Sequence, residues 1–421
     1  MSPLIACIYT VCLLQVTMSS DMYGLPKILA AAFFCLLASL RNGFASLPID
    51  RCSIAFGVCF IMAALFSSSP AISSLGEYRV YTGALLPAAL VGSLFYLAAG
   101  SKAKADSYAN ISKHVVYVAS ISSAWGLLQK FGMYATFPLP GDRVYAGLGS
   151  PVYLAAFLAI ALPLALEQKA FKKAALIVLG IFLSGTRAGL IAATASGAFM
   201  LWRNTNVSPR VKGYVLAGVA VAFLALLAGM SVLRSALPQA DKGRLIVYKM
   251  ALNVVKDHPW MGYGPDMFFD AFMRYRTQEW LDAGFSKQHA QGTAHNDVLQ
   301  ALANGGIFYA AAYLALCFAL MRLFLKSGHA GIVASAIALF TFSKLNETAL
   351  PVKVLFFILA GASVQRLNKN GSKWSYNWIA TGSILALYFS FFVHDRILFW
   401  YRAMESPRMI DFVKRFFIVY G

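Results

Sequence analysis

Charged residues are scarce in this chain, and acidic residues are the scarcest. Of 421 residues 13% are charged, and Asp and Glu together number 17. Soluble domains carry about 25% charged residues. With 59% hydrophobic residues, the composition excludes an ordinary soluble enzyme and also an intrinsically disordered chain.

The usual patterns of a metal site or a transporter are also missing. None of the six cysteines forms a CxxC or Cys/His spacing typical of zinc. Asp266 and Asp270 could lie one turn apart on a helix, but we find no carboxylate cluster that suits a hard cation. We see no internal repeat of the kind found in many transporters. We therefore expect no bound metal ion.

Apolar runs near 20 residues recur along the chain and predict an all-α polytopic membrane protein with about 12 transmembrane helices. We divide it into a transmembrane bundle over 1–232, a polar loop with amphipathic helices over 233–296, and further transmembrane helices and a tail over 297–421. A last apolar run at 377–393 would be a thirteenth crossing, which leaves the side of the tail open.

The net charge is +19, and the positions of the basic residues along the chain predict its membrane topology. Lys residues gather in the breaks at 101–113 and 167–173, whereas the breaks at 70–81 and 132–150 carry one Arg each. Cytoplasmic loops are enriched in Lys and Arg. The N-terminus is therefore predicted in the cytoplasm and the loop 233–296 on the outer side, and the basic excess needs no nucleic-acid partner.

The stretch 174–202 has basic flanks and is too long for one ordinary span. Its one polar break, Ser184-Gly-Thr-Arg187, predicts two short helices with Arg187 near the outer turn. A charge at membrane depth is usually functional or paired. The alternative is that Arg187 snorkels to lipid phosphate.

Within the loop, residues 243–258 have the periodicity of an amphipathic helix. Its predicted apolar face consists of Leu245, Tyr248, Leu252 and Val255. Arg244 opens this helix; a cation at a helix N-terminus is mildly unfavourable, which hints at a nearby anion, although a solvated loop arginine is the alternative.

His295 lies where the long loop meets the next span. A helix beginning near Thr293 would disfavour the imidazolium, and a neutral imidazole is what a general base requires. The alternative is a capping or interfacial histidine.

Four short motifs in the same order resemble the O-antigen ligase/polymerase superfamily of bacterial envelopes. They span roughly 170–325 and are LSGTRAG from Leu183 to Gly189, Arg244 with Tyr248 and Ala251, HPWMGYG from His258 to Gly264, and His295-Asn296 with Leu299 and Gly306. The superfamily often has Ser-Arg where this chain has Thr186-Arg187.

The resemblance implies a GT-C-like helical bundle in the inner membrane of a Gram-negative bacterium, with its site facing the periplasm. It implies an enzyme, embedded in membrane lipids, that transfers O-antigen from undecaprenyl pyrophosphate to lipid A–core. The resemblance implies that this reaction needs neither a metal nor a nucleotide cofactor. Arg187 and Arg244 would bind the pyrophosphate, and His295 would activate the acceptor. The residues expected to support the site are Asn296, Tyr248 and Trp260.

Other functions fit the same motifs. An O-antigen polymerase and a protein O-oligosaccharyltransferase of the same superfamily differ from a ligase mainly in the acceptor, which the motifs do not separate. A lipid-linked glycan transporter is the alternative from another class, and it should carry charges near mid-membrane and show repeats.

The Lys/Arg asymmetry generates a topology test. A cysteine replacing Ser286 should react with a membrane-impermeant maleimide in intact spheroplasts, because we expect 233–296 on the outer side. A cysteine replacing Lys172 is the matched control and should react only after permeabilisation. Protection of the Ser286 position in intact spheroplasts would contradict the topology.

Overall fold

The computed structural model describes residues 1–14, 25–42, 51–76, 84–133, 142–203, 239–286 and 291–367, with short pieces at 208–210, 213–214 and 217. These residues form helices, without a strand among them. The α-helices are α1 Pro3–Leu13, α2 Leu25–Asn42, α3 Arg51–Leu65, α4 Pro70–Leu75, α5 Leu85–Gly100, α6 Tyr108–Lys130, α7 Pro151–Glu167, α8 Phe171–Leu183, α9 Arg187–Arg203, α10 Gln239–Asp257, α11 Phe268–Tyr275, α12 Gln278–Asp282, α13 Asp297–Ser327, α14 Ala330–Ser343 and α15 Leu350–Ser363.

Helix α7 occupies the middle of the main apolar core. Every residue from Leu154 to Ala165 is buried, and α6, α8, α9 and α14 pack around it. A helix that is apolar on all sides belongs in such a position.

Small residues bring α9 close to α7. Gly189, Ala192 and Ser196 form a buried stripe at helical spacing on α9. A Cβ on Gly189 would come within 2.7 Å of the Ala155 side chain, so the two backbones approach as closely as small residues allow. This packing fixes where α9 begins.

The helix pair predicted from 174–202 is confirmed. Helix α8 ends at Leu183 and α9 begins at Arg187, so Arg187 follows the turn directly. The end of the predicted bundle over 204–232, the apolar run at 377–393 and the tail 394–421 lie outside the described residues, apart from the short pieces at 208–210, 213–214 and 217.

The loop has an apolar core of its own, and the predicted face of its first helix is wrong. Leu245 and Leu252 are exposed on α10. The buried side is instead the one that carries Val247, Ala251 and Val254, which pack with α11 and α12. Two apolar stripes lie side by side on this helix, and the one with the small Ala251 allows the closer approach.

The adjacent glycines Gly305 and Gly306 predict a kink in the span that follows the loop. Helix α13 is interrupted at Gly306, and the loop backbone enters the break. Gly306 has φ 68° and ψ −165°. The amide of Ile307 donates to the Pro259 carbonyl (2.9 Å), and the amides of Tyr263 and Gly264 donate to the carbonyls of Ala303 (2.8 Å) and Asn304 (2.9 Å). The loop and the helix thus share backbone hydrogen bonds as one unit.

The predicted dozen membrane crossings are not confirmed. Among the described residues, α13 alone is long and apolar enough to cross a membrane by length and composition. Six further apolar helical segments have only 10–17 residues: α1, α3, α7, α14, α15 and the part of α5 from Pro87. A full crossing needs about 20 residues.

Gly262 generates a stability prediction. Its φ is +64°, and an added Cβ would lie 2.4 Å from the Gly305 nitrogen. Gly262→Ala should lower the free energy of unfolding by at least about 1–2 kcal/mol, the cost of left-handed backbone for a residue with a Cβ, because backbone atoms cannot yield. Thermal unfolding in detergent measures it. Gly197→Ala is the control: that position on α9 has open space and should be neutral or slightly stabilising.

Candidate active site

The turn between α8 and α9 presents Arg187. Thr186 donates its hydroxyl to the Pro151 carbonyl (3.2 Å), which ties the turn to the start of α7. Gly185 takes a left-handed φ of 59°. The Arg187 side chain, at the first position of α9, is exposed.

Arg143, which was not among the predicted site residues, lies against the same turn. Its Nε donates to the Ser184 carbonyl (2.8 Å), and one Nη donates to the Thr186 hydroxyl (2.7 Å). The available signal was that Arg143 is the one charged residue besides Asp142 in the break 132–150.

Arg244 faces the connection between α14 and α15. Its Nη2 donates to the Asn346 side-chain oxygen at 2.8 Å, and Asn346 is 4% exposed. Since α10 begins at Gln239, Arg244 does not open the helix as predicted but lies in its second turn. Burial first, and then the charge of Arg244, lower the pKa of Arg143, as expected for two guanidinium groups on facing segments.

A charged contact joins this connection to the start of α13. Lys344 Nζ lies 2.5 and 2.7 Å from the two carboxylate oxygens of Asp297. The Ser343 hydroxyl donates to the same carboxylate (2.9 Å). This contact holds Asn346 close to the residues before Asp297. Because Arg244 bonds to Asn346 and His295 precedes Asp297, these two side chains lie in the same region.

His295 precedes the start of α13 and is uncharged at neutral pH. Burial first, and then the charge of Arg244, lower its pKa to about 4. Its Nε2 lies 3.1 Å from the Gln291 side-chain oxygen. Because that oxygen can only accept, Nε2 carries the proton and Nδ1 keeps its lone pair. Nδ1 is buried and has no hydrogen-bond partner among the described residues.

The structure therefore brings Arg143, Arg244 and His295 together, with Arg187 on the turn that Arg143 contacts. Residues 174–314 match a family model described as O-antigen ligase. This match supports membership of the chain in the O-antigen ligase superfamily. The matched segment contains Arg187, Arg244 and His295, whereas Arg143 and Asn346 lie outside it. No curated protein matches the chain.

Members of the O-antigen ligase family are membrane-associated, glycosyltransferase-like enzymes that act broadly on lipid-linked glycans. Guanidinium groups bind anionic oxygens through paired charge-assisted hydrogen bonds, so the arginines of this site have the chemistry of an anion-binding group.

The three supporting residues take different positions. The Asn296 side chain caps α13 by accepting from the amides of Val298 (3.0 Å) and Leu299 (3.1 Å). Tyr248 is half-buried and feels the charge of Arg244, which opposes the rise of its pKa on burial. Trp260 is 62% exposed and stacks on Phe308 at the break in α13. The Trp260 ring therefore contacts α13 at its break.

Carboxylates in the loop are arranged differently from the expectation. Asp266 precedes α11 with φ 58°, so it does not share a helix with Asp270 as predicted. Asp270 accepts from the Tyr263 hydroxyl (2.7 Å). Among the described residues no group of three His, Cys, Asp or Glu side chains could hold a metal ion.

The lowered pKa of His295 predicts a pH-dependent stability. In the unfolded chain the imidazole takes up a proton near pH 6.5, but in the folded chain only near pH 4. The unfolded state then binds more protons in this window, so the free energy of unfolding should fall as the pH drops from about 6.5 towards 4.

A comparison of wild type with His295→Gln separates the contribution of His295 from the contributions of the other histidines. Thermal unfolding in detergent at pH 7, 6, 5 and 4 should show a smaller loss in the variant, the difference being at most about 1.4 kcal/mol per pH unit. Equal losses in both proteins would mean that His295 has an ordinary pKa.

Proposed function

We propose that the protein is an O-antigen ligase of the Gram-negative inner membrane, with its site facing the periplasm. It transfers O-antigen polysaccharide from undecaprenyl pyrophosphate to a sugar hydroxyl of lipid A–core. The observation that carries the proposal is the neutral imidazole of His295, with an unbonded Nδ1, beside the guanidinium of Arg244. A base and an anion-binding group thus lie next to each other.

In the proposed reaction the acceptor hydroxyl attacks the anomeric carbon of the donor. The bond from that carbon to the phosphate oxygen breaks, and the bond to the acceptor oxygen forms with inversion. The hydroxyl proton passes to Nδ1 of His295. Arg187 and Arg244 stabilise the negative charge that develops on the leaving undecaprenyl pyrophosphate. No metal takes part.

Donor binding also adjusts the base. A base with a pKa of about 4 accepts a proton weakly, and Arg244 contributes to that low value. A pyrophosphate bound to Arg244 offsets its charge, which raises the pKa of His295 towards the range of an effective base. The imidazole therefore gains basicity when the donor is in place.

Reconstitution tests the proposed function. Purified protein in liposomes with carrier-linked glycan and lipid A–core should produce capped lipopolysaccharide, at a rate that a strong chelator leaves unchanged. Longer carrier-linked chains would instead identify a polymerase. Glycosylated protein would identify a protein glycosyltransferase, and movement of the lipid-linked glycan without bond change would identify a transporter.

Substitution of the arginines tests the leaving-group assignment in the same assay. Arg187→Ala and Arg244→Ala each remove charge-assisted hydrogen bonds worth roughly 1.5–3 kcal/mol. We expect kcat/KM to fall about tenfold or more, with partial rescue by Lys, which lacks the planar fork. Lys249→Ala is the matched control, because Lys249 is on the same helix but pairs with Glu279 at 2.7 Å. Wild-type rates in both arginine variants would refute the assignment.

The pH–rate profile tests His295. The acid limb of kcat/KM, which reports the free enzyme, should lie near the His295 pKa of about 4, and the acid limb of kcat, which reports the donor complex, should lie higher. In His295→Gln, kcat should fall about a hundredfold. The acid limbs of both the kcat and the kcat/KM profiles should disappear. A Gln variant with full activity would leave His295 a purely structural residue.

A further inference from the structure

The backbone after Arg143 is hydrogen-bonded to α6 and to the end of α8. The buried Gln129 side-chain oxygen accepts from the amides of Tyr145 (3.1 Å) and Ala146 (2.8 Å). The amide of Val144 donates to the carbonyl of Leu183 (3.3 Å). The half-buried Arg143 side chain therefore starts from a fixed point rather than from a free loop.

Its guanidinium is fixed in turn, and only part of its donor set is used. The Ser184 carbonyl and the Thr186 hydroxyl take Nε and one Nη. Gly185 lies against the side chain, since a Cβ there would meet Arg143 Cγ at 3.2 Å. The second Nη makes no hydrogen bond to a described residue, and no described carboxylate pairs with Arg143.

The neighbour of Arg143 is another cation rather than an anion. Arg244 is close enough to lower the pKa of Arg143, yet guanidinium groups stay charged in proteins. Two like charges held by separate hydrogen bonds, one to the α8–α9 turn and one to Asn346, repel each other. An anion between them would turn this repulsion into attraction on both sides.

We propose that Arg143 is a further donor-binding residue, which uses its unbonded Nη to hold a diphosphate together with Arg244. The identity of this ligand as the carrier pyrophosphate rests on the proposed function. Arg143 touches Thr186, the residue immediately before Arg187, so a diphosphate bound between Arg143 and Arg244 lies beside the turn from which Arg187 extends.

Binding of inorganic pyrophosphate and of farnesyl pyrophosphate to the purified full chain in detergent tests the proposal without turnover. Arg143→Gln should weaken both about tenfold or more, the loss expected from a charge-assisted contact, and Arg143→Lys should lie between Gln and wild type. Tighter binding of farnesyl pyrophosphate than of inorganic pyrophosphate in wild type would identify the lipid ester as the ligand. Equal affinities would identify free diphosphate.

Two further variants separate ligand binding from a role in holding the turn. Thr186→Val removes one anchor of Arg143 but keeps its charge, so affinity should fall about two- to threefold, below the loss for a charged contact. Lys249→Gln removes an outer-loop charge and should leave both affinities unchanged. If Arg143→Gln binds both probes as wild type does, or if Thr186→Val weakens them as much as Arg143→Gln, the proposal is overturned.

The binding experiment and the reconstitution experiment test the role of Arg143 and the proposed ligase function separately. Unchanged binding in Arg143→Gln, with normal lipopolysaccharide capping by wild type, would overturn the role of Arg143 and leave the ligase. Weakened binding in Arg143→Gln, without capping by wild type, would leave the diphosphate site and overturn the ligase.

Discussion

Backbone groups freed at the break in α13 need partners, and the loop supplies them. The carbonyls of Ala303 and Asn304 and the amide of Ile307 all bond to the segment from Pro259 to Gly264. An unpaired buried backbone group costs about as much as a lost hydrogen bond. The loop and the first turns of α13 therefore have to stay in register, and the position of α10 relative to His295 depends on it.

The positions of the charged groups follow from this register. α10 packs against α13, which brings Arg244 near the residues before Asp297. The Lys344–Asp297 pair then holds the α14–α15 connection at the same place, where Asn346 meets Arg244. Asn346 accepts a hydrogen bond without bringing a charge, so this contact orients the Arg244 guanidinium without neutralising it.

Local features of the fold could be predicted from the sequence because they depend on neighbouring residues. The turn before Arg187 follows from one polar break in an apolar stretch, and the break at Gly306 follows from a glycine pair. Contacts between distant segments could not be predicted. Arg143 meets Ser184 across 41 positions and Arg244 meets Asn346 across 102, and no periodicity in one segment encodes its partner. The buried face of α10 was missed because two apolar stripes compete and only packing against α11 and α12 decides between them.

The break in α13 also divides the helix by depth. From Ile307 to Ser327 the helix has 21 residues, which at about 1.5 Å per residue gives a rod of about 31 Å, the thickness of a bilayer's hydrocarbon layer. The shorter part from Asp297 to Gly305 would then stand among the lipid headgroups. In the proposed reaction, His295 and the arginines then act at the level where a carrier lipid exposes its phosphates, and its prenyl chain stays in the hydrocarbon while its head is bound. The exposed ring pair of Trp260 and Phe308 would mark that boundary, where aromatic side chains are enriched.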